Sequence, residues 1–305
     1  MFTAQWLSDH FVAIRATHRY AGVMFEIDPI TRANVTLGVE VNGIFLKAPS
    51  IPESLLRFVR PLAFFNSGHS HELSFSGTSL RVRTKNRNLL LCSRHQLKNA
   101  KRDPQDIVIV IDVEDGRRVA INPNEVSQAV LDPISDPNYS DIADVMLAEY
   151  ATQTTGRDLA PYFLDLDLLE VPDLRSMPSG SIDAIFTLGF PTSDADYVTS
   201  YDDDYNITGV DIISRWWKLY FREDEPTAWD TLGLTPLEPA KSGDPIPDDH
   251  DGMSGAPVFF IYGLKDQKPG LGFAGIVLRA NKAGRVNMLE AEAIRRVIKK
   301  HFGAA

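Results

Sequence analysis

The chain has 305 residues, with 31 Lys and Arg against 41 Asp and Glu and a formal net charge of −10. This argues against a general nucleic-acid binder, which needs a basic excess to neutralise phosphates. Apolar residues make up 44% and charged residues 24%, the balance of a folded globular protein, which excludes disorder, collagen and coiled coil as descriptions of the whole chain. The single cysteine, Cys92, excludes a disulfide-stapled scaffold.

Residues 1–15 lack a basic start, and Asp9 interrupts their apolar run, so they do not read as a signal peptide. No apolar stretch approaches the roughly 18 residues needed to cross a bilayer. The expected setting is cytoplasmic and bacterial, with no membrane partner. Asn34-Val-Thr36, Asn138-Tyr-Ser140 and Asn206-Ile-Thr208 fit the glycosylation pattern, which matters only in a secreted protein.

Along the chain, short runs rich in Val, Ile, Phe and Leu are broken by Gly, Pro, Asn and Asp about every ten residues. Residues 34–45, 79–84, 89–92, 107–113, 182–188, 216–221, 257–261 and 272–278 are expected strands. Strand–helix alternation is missing over most of the length, which disfavours a doubly wound parallel sheet. The fold class is all-β, mainly antiparallel. Residues 53–59 suggest a short amphipathic helical turn. A clearer helix is expected from about 288 to 302, capped by Asn287 and stopped by Gly303. Its Ile294, Val297, Ile298 and His301 fall at i, i+3, i+4 and i+7 and form a docking face. Residues 192–250, with Asp202-Asp203-Asp204 and many prolines, read as loops and extra strands around a β core.

The strongest local signal is Asp251-Gly252-Met253-Ser254-Gly255-Ala256-Pro257, just before an apolar strand. Glycines on both sides of a serine permit a turn that other residues resist. Such a turn can aim the N–H groups of Gly252 and Ser254 at one point. That forms an oxyanion hole, in which one donor is worth about 2.7–4 kcal/mol in known cases. The bland alternative is a glycine-rich hairpin with an incidental serine.

A serine hydroxyl needs a base to become a good nucleophile. Among seven histidines, His95 stands out, because it ends the apolar segment Leu89-Leu90-Leu91-Cys92-Ser93-Arg94-His95. A carboxylate must then orient the imidazole and stabilise its charged form. Asp141 and Asp144 are the candidates. Asp144 fits better, since Val145, Leu147 and Glu149 then alternate against Met146, Ala148 and Tyr150 on the strand that follows. In each case the alternative is an ordinary surface residue beside a strand.

The order His95, Asp144, Ser254, with intervals of 49 and 110 residues, resembles the trypsin-like (chymotrypsin-fold) serine peptidases. The resemblance covers about residues 62–300. It rests on Gly77-Thr78-Ser79, on the Leu91–His95 turn, on the strand at 144–148, on Gly189-Phe190-Pro191, on residues 252–257 and on Gly275-Ile276-Val277. It implies two six-stranded β-barrels, at about 61–150 and 160–285, within a peptidase domain of residues 61–302. A terminal helix at 288–302 closes the domain, and an N-terminal extension of unassigned role (1–60) precedes it. The implied roles are Ser254 as nucleophile, His95 as general base and acid, Asp144 as orienting carboxylate, and the amides of Gly252 and Ser254 as oxyanion donors. The implied substrate is a protein or peptide, with no metal or organic cofactor.

The sequence departs from the pattern. Met253 stands where secreted members carry the aspartate that pairs with a newly cut N-terminus, so activation by such cleavage is not expected. Ala256 and Ser79 replace glycines, and Gln96 follows the histidine where those members have a half-cystine. Specificity is read two ways. Asp248, six residues before Ser254, sits where enzymes that cut after Arg or Lys place a pocket carboxylate, but an acidic solvated loop of Asp248, Asp249 and Asp251 is the preferred reading. Leu278, Arg279 and Ala280 form the expected pocket wall, where Arg279 favours acidic substrate residues or neutralises Asp248.

Three further constellations have simpler readings. His69-Ser-His71 is half a zinc site at most and reads as a polar strand face. Asp202–Asn206 opens like a calcium loop but lacks the glycine and the glutamate such loops require. Residues 80–102 hold eight Lys and Arg and no acid; this is a patch that steers an acidic partner or a charged hairpin edge. Cys92, inside an apolar strand, reads as packing. Two functional alternatives are weighed against the peptidase: a weak or silent trypsin-fold module that binds a protein, and an α/β-hydrolase esterase. The esterase would require Gly at position 256 and a histidine after the serine.

Overall fold

The computed structural model describes residues 38–47, 50–68, 72–85, 87–112, 118–129, 144–154, 156–169, 174–178, 180–225, 234–240, 247, 249–263 and 269–302. Residues 1–37, His69, His71, residues 138–141, Asp248 and Gly303 lie outside them.

The first ordered element is a hairpin of β1 (Gly38–Val41) and β2 (Ile44–Lys47). The sequence suggests one strand over 34–45. Asn42 and Gly43 break it, with φ of 47° and 78°, the left-handed pair that a tight hairpin turn demands and that Asn-Gly supplies. The short helix α1 (Ile51–Leu55) follows. It is displaced from the expected 53–59 because Val59 already pairs with Leu80 in the next sheet.

The first half of the molecule is an antiparallel sheet of β3 (Val59–Phe65), β4 (Leu73–Thr84), β5 (Arg87–Ser93), β6 (Ile107–Asp112), β7 (Arg118–Ile121), β8 (Glu125–Gln128) and β9 (Val145–Tyr150). Helix α2 (Arg94–Ala100) leaves the end of β5. The strand order is β7-β6-β3-β4-β5-β9-β8. After the small hairpin β10 (Gln153–Thr154) and β11 (Arg157–Asp158), β12 (Leu164–Asp165) adds to β4 in parallel. Among the described residues β7 and β8 end the path, so of the two expected barrels this half shows a half-barrel sheet. Buried Arg81 on β4 donates from its guanidinium to the carbonyl of Val110 on β6 at 3.1 Å.

The second half closes. β13 (Ile182–Gly189), β16 (Trp217–Glu223), β17 (Thr235–Pro239), β20 (Val286–Glu290), β19 (Gly270–Ala280) and β18 (Pro257–Tyr262) form a six-stranded barrel in that order, completed by the β18–β13 ladder. A two-stranded ribbon, β14 (Ala195–Tyr201) with β15 (Ile207–Ser214), projects from it. The C-terminal helix α3 spans Ala291–Phe302, shorter than the expected 288–302. Met288 and Leu289 are buried on opposite faces of β20, where pairing with β19 and β17 outweighs helix formation.

Burial explains the continuous apolar runs. On β5, Leu90 and Cys92 face the interior of the first sheet, whereas Leu89 and Leu91 face a second core. On β18, Val258, Phe260 and Tyr262 fill the barrel, whereas Phe259 and Ile261 face that same second core. A strand buried on both faces loses alternation. The shared core also takes Ile294, Val297 and Ile298 of α3 and Val39 of the hairpin, so it joins the two halves. Each fully buried large side chain there stabilises by about 1.5–3 kcal/mol. No helix among the described residues is long and apolar enough to cross a membrane. The fold is all-β apart from short helices and α3, and is compatible with the chymotrypsin-like architecture.

Candidate active site

Three turns, two from the sheet and one from the barrel, converge between the two halves. The first is the junction of β5 and α2. Ser93 is extended (φ −93°, ψ 144°) and caps the helix. Its N–H donates to Oε1 of Gln96 at 2.8 Å, the reciprocal arm of a capping box. His95 therefore sits in the first turn of a helix and not at a bare strand end.

The second turn precedes β9. The β5–β9 ladder pairs Ser93 with Val145, which sets Asp144 opposite the start of α2. Its Oδ1 accepts the backbone N–H of His95 at 3.0 Å, and its Oδ2 lies 2.6 Å from Nδ1 of the same residue.

The third turn carries Ser254. Its Oγ is 2.9 Å from Nε2 of His95 and 3.3 Å from the carbonyl oxygen of Leu278. Two glycines make this turn possible. Gly252 has φ +93°, and a Cβ there would stand 2.7 Å from the Thr192 nitrogen and 2.8 Å from the Phe190 oxygen. Gly255 has φ +80°, and its Cβ would meet the Thr78 oxygen at 2.3 Å. Both positions require left-handed backbone and close approach of another chain segment.

The turn's own amides divide into two sets. Those of Met253, Gly255 and Ala256 donate to the carbonyls of His250, Val277 and Met253, at 3.1, 2.8 and 3.0 Å. Among the described residues, the N–H groups of Gly252 and Ser254 donate to no protein acceptor. They are the two amides of this turn left open to an acceptor from outside the described residues. If Nδ1 of His95 carries a proton, it donates to Asp144 and Nε2 is left as an acceptor for the Ser254 hydroxyl proton.

Ser254 opens onto a cleft of about 770 Å³ lined by His95, His250, Leu278, Arg279 and Ala280 among others. Of the sequence-predicted wall residues, Leu278 is buried and offers its carbonyl, while Arg279 and Ala280 are exposed. Leu278 is the extra residue of a bulge, since Val277 pairs with Met288 and Arg279 with Asn287. Asp248 lies outside the described residues, so its place relative to this wall is not assigned. The neighbouring carboxylates serve the loop itself. Asp249 accepts the Asp251 N–H at 3.0 Å, and Asp251 accepts the Thr192 hydroxyl at 3.1 Å. His250 is buried, and burial holds its pKa below the ordinary 6.5, opposed by the charge of Asp249.

Two residues that the sequence offered only as points of comparison with the family pattern make defined contacts here. Thr78 donates its hydroxyl to the Gly252 carbonyl at 2.8 Å and accepts the Phe190 N–H at 2.9 Å. Gln96 donates to the Ser254 carbonyl at 2.9 Å. The Ser-x-x-Gln spacing of a capping box was a usable signal for Gln96; nothing local marks Thr78.

The other constellations stay apart. Among the described residues, no group of three or more His, Cys, Asp or Glu is placed to hold a metal. The Asp202 carboxylate accepts the side-chain amide and the backbone N–H of Asn206 and the N–H of Asp204, which lowers its pKa and makes a closed acidic turn. Cys92 is buried, and desolvation pushes its thiol pKa far up. No protein-family model matches the sequence, and no curated protein does.

Proposed function

We propose that the protein is a serine endopeptidase of the chymotrypsin type, acting through His95, Asp144 and Ser254. The observation that carries this reading is the imidazole of His95, bonded at one nitrogen to Asp144 at 2.6 Å and at the other to Ser254 at 2.9 Å. An alcohol, an imidazole and a carboxylate so linked have the groups required for nucleophilic acyl transfer.

In this reading Ser254 Oγ attacks a peptide carbonyl as its proton passes to Nε2 of His95. Asp144 keeps Nδ1 protonated and stabilises the imidazolium. The carbonyl oxygen, now negative, takes the free N–H groups of Gly252 and Ser254. His95 returns the proton to the leaving amine, leaving an acyl-serine. Water, deprotonated by the same nitrogen, then releases the acid and restores the hydroxyl. Leu278, Arg279 and Ala280 line the substrate side of the cleft. A lone buried thiol and no reliance on disulfides suit the cytoplasm.

Labelling with a fluorophosphonate probe tests this. The wild type takes up label and Ser254→Ala does not. Absence of label in a folded wild type, with no hydrolysis of unfolded protein substrates, refutes the proposal.

A further inference from the structure

The side chain of Gln96 is nearly enclosed, at 4% exposure, yet belongs to no hydrophobic core. Its Oε1 accepts the N–H of Ser93 at 2.8 Å and the Ser93 hydroxyl at 3.0 Å. Its Nε2 faces three carbonyls, those of Ser254 at 2.9 Å, Thr78 at 3.0 Å and Ser76 at 3.3 Å. One amide thus touches the turn that presents His95, strand β4 and the turn that presents Ser254.

The surrounding backbone leaves room for that amide. Between the pairs Pro61–Thr78 and Ala63–Phe75, β4 carries two residues against one on β3, a bulge at Ser76-Gly77. A Cβ on Gly77 would stand 2.4 Å from Nε2 of Gln96, and one on Gly255 would stand 3.1 Å from its Oε1. Met253, in contrast, turns into the barrel interior and offers the Ser254 turn only apolar contact.

We propose that Gln96 is a positioning residue that sets the spacing of His95 and Ser254, a non-covalent tie between the base turn and the nucleophile turn. The inference rests on the peptidase reading for its catalytic consequence, but the tie itself does not. Because the tie uses residues internal to the folded chain, the Ser254 turn is held in its working form without cleavage elsewhere in the protein.

The full chain is compared with Gln96→Ala and with Gln96→Glu, which keeps the volume and removes the donor. Both variants are expected to lose kcat by about 10- to 100-fold, the effect of a misplacement near 1 Å, with KM within about threefold. Gln96→Glu carries a further signature. A buried carboxylate facing carbonyls has a raised pKa, and its protonated form donates an O–H to the Ser254 carbonyl. Its deficit relative to wild type should therefore shrink as pH is lowered. Hydrogen exchange, read without any substrate, should quicken in peptides spanning 251–255 while β18 and β19 stay protected.

Unchanged kcat in both variants overturns the proposal, as does unchanged exchange at 251–255. A wild type that neither labels nor hydrolyses while Gln96→Glu still loosens 251–255 removes the peptidase reading and keeps the tie.

Discussion

Asp144 holds His95 at two points, one carboxylate oxygen on the backbone N–H at 3.0 Å and the other 2.6 Å from Nδ1 of the ring. The double contact fixes both the helix turn and the imidazole plane, and it selects the tautomer with a free Nε2. An amide at position 144 keeps the shape but presents an N–H toward the ring and reverses that choice. Asp144→Asn should therefore lower kcat by about 10⁴-fold, as in the chymotrypsin-type triad, while Asp141→Asn stays close to wild type. Steady-state kinetics on an ester or peptide substrate checks both.

Met253 is fully buried, and its sulfur would lie 2.5 Å from a Cβ placed on Gly189. Met253→Leu conserves volume and should cost less than about 1.5 kcal/mol. Met253→Asp buries an uncompensated charge and should cost about 3–5 kcal/mol. Denaturant unfolding separates the two; equal costs would mean that the site is wetter than its burial indicates.

At Gly255 both backbone and space are restricted. Gly255→Ala forces a side chain into the left-handed region and against the Thr78 carbonyl. The expected loss is about 1–3 kcal/mol of stability, together with a fall in kcat, because Ser254 must shift. A variant with normal Tm and normal rate would contradict this account of the turn.

The depressed pKa of His250 gives the molecule an acid limb. The unfolded imidazole binds a proton more readily than the buried one, so stability rises with pH where the two states differ. The contribution is fully present above the ordinary 6.5 and is lost as pH falls toward the lower folded value. Among the described residues both ring nitrogens of His250 are buried without a hydrogen-bond partner. Thermal unfolding followed from about pH 8 to about pH 5 should show Tm declining below the midpoint of free histidine, and His250→Leu should flatten that decline. An unchanged slope in the variant would assign it to other groups.

Much of this could be read from residue order. An apolar run drew attention to His95 at its end, flanking glycines ahead of an apolar strand drew attention to Ser254, and alternation after Asp144 favoured it over Asp141. Sequence could not show that the turn at 93–96 continues as a helix, because its capping residue follows an apolar strand without a break. It began the last helix at 288 and so took 288–290 for helix, because buried Met288 and Leu289 suit a helix as readily as a strand, and only the partner strands decide. The Asn42-Gly43 hairpin was legible from turn chemistry but was hidden inside one apolar run. Closure of a sheet depends on ladders between distant segments, which no local pattern records. The same holds for the contacts of Gln96 with Ser254 and of Thr78 with Gly252, which span 158 and 174 residues.

His95 and Asp144 belong to the open sheet, whereas Ser254 enters with the strand that helps close the barrel. During synthesis the base and acid emerge well before the alcohol, and the strands at 270–280 and 286–290 come later still. A chain still emerging from the ribosome therefore cannot bring the three side chains together until the segment that carries Ser254 and its partner strands has been made. On the proposed peptidase reading, chain order alone delays hydrolytic capacity until that segment has folded.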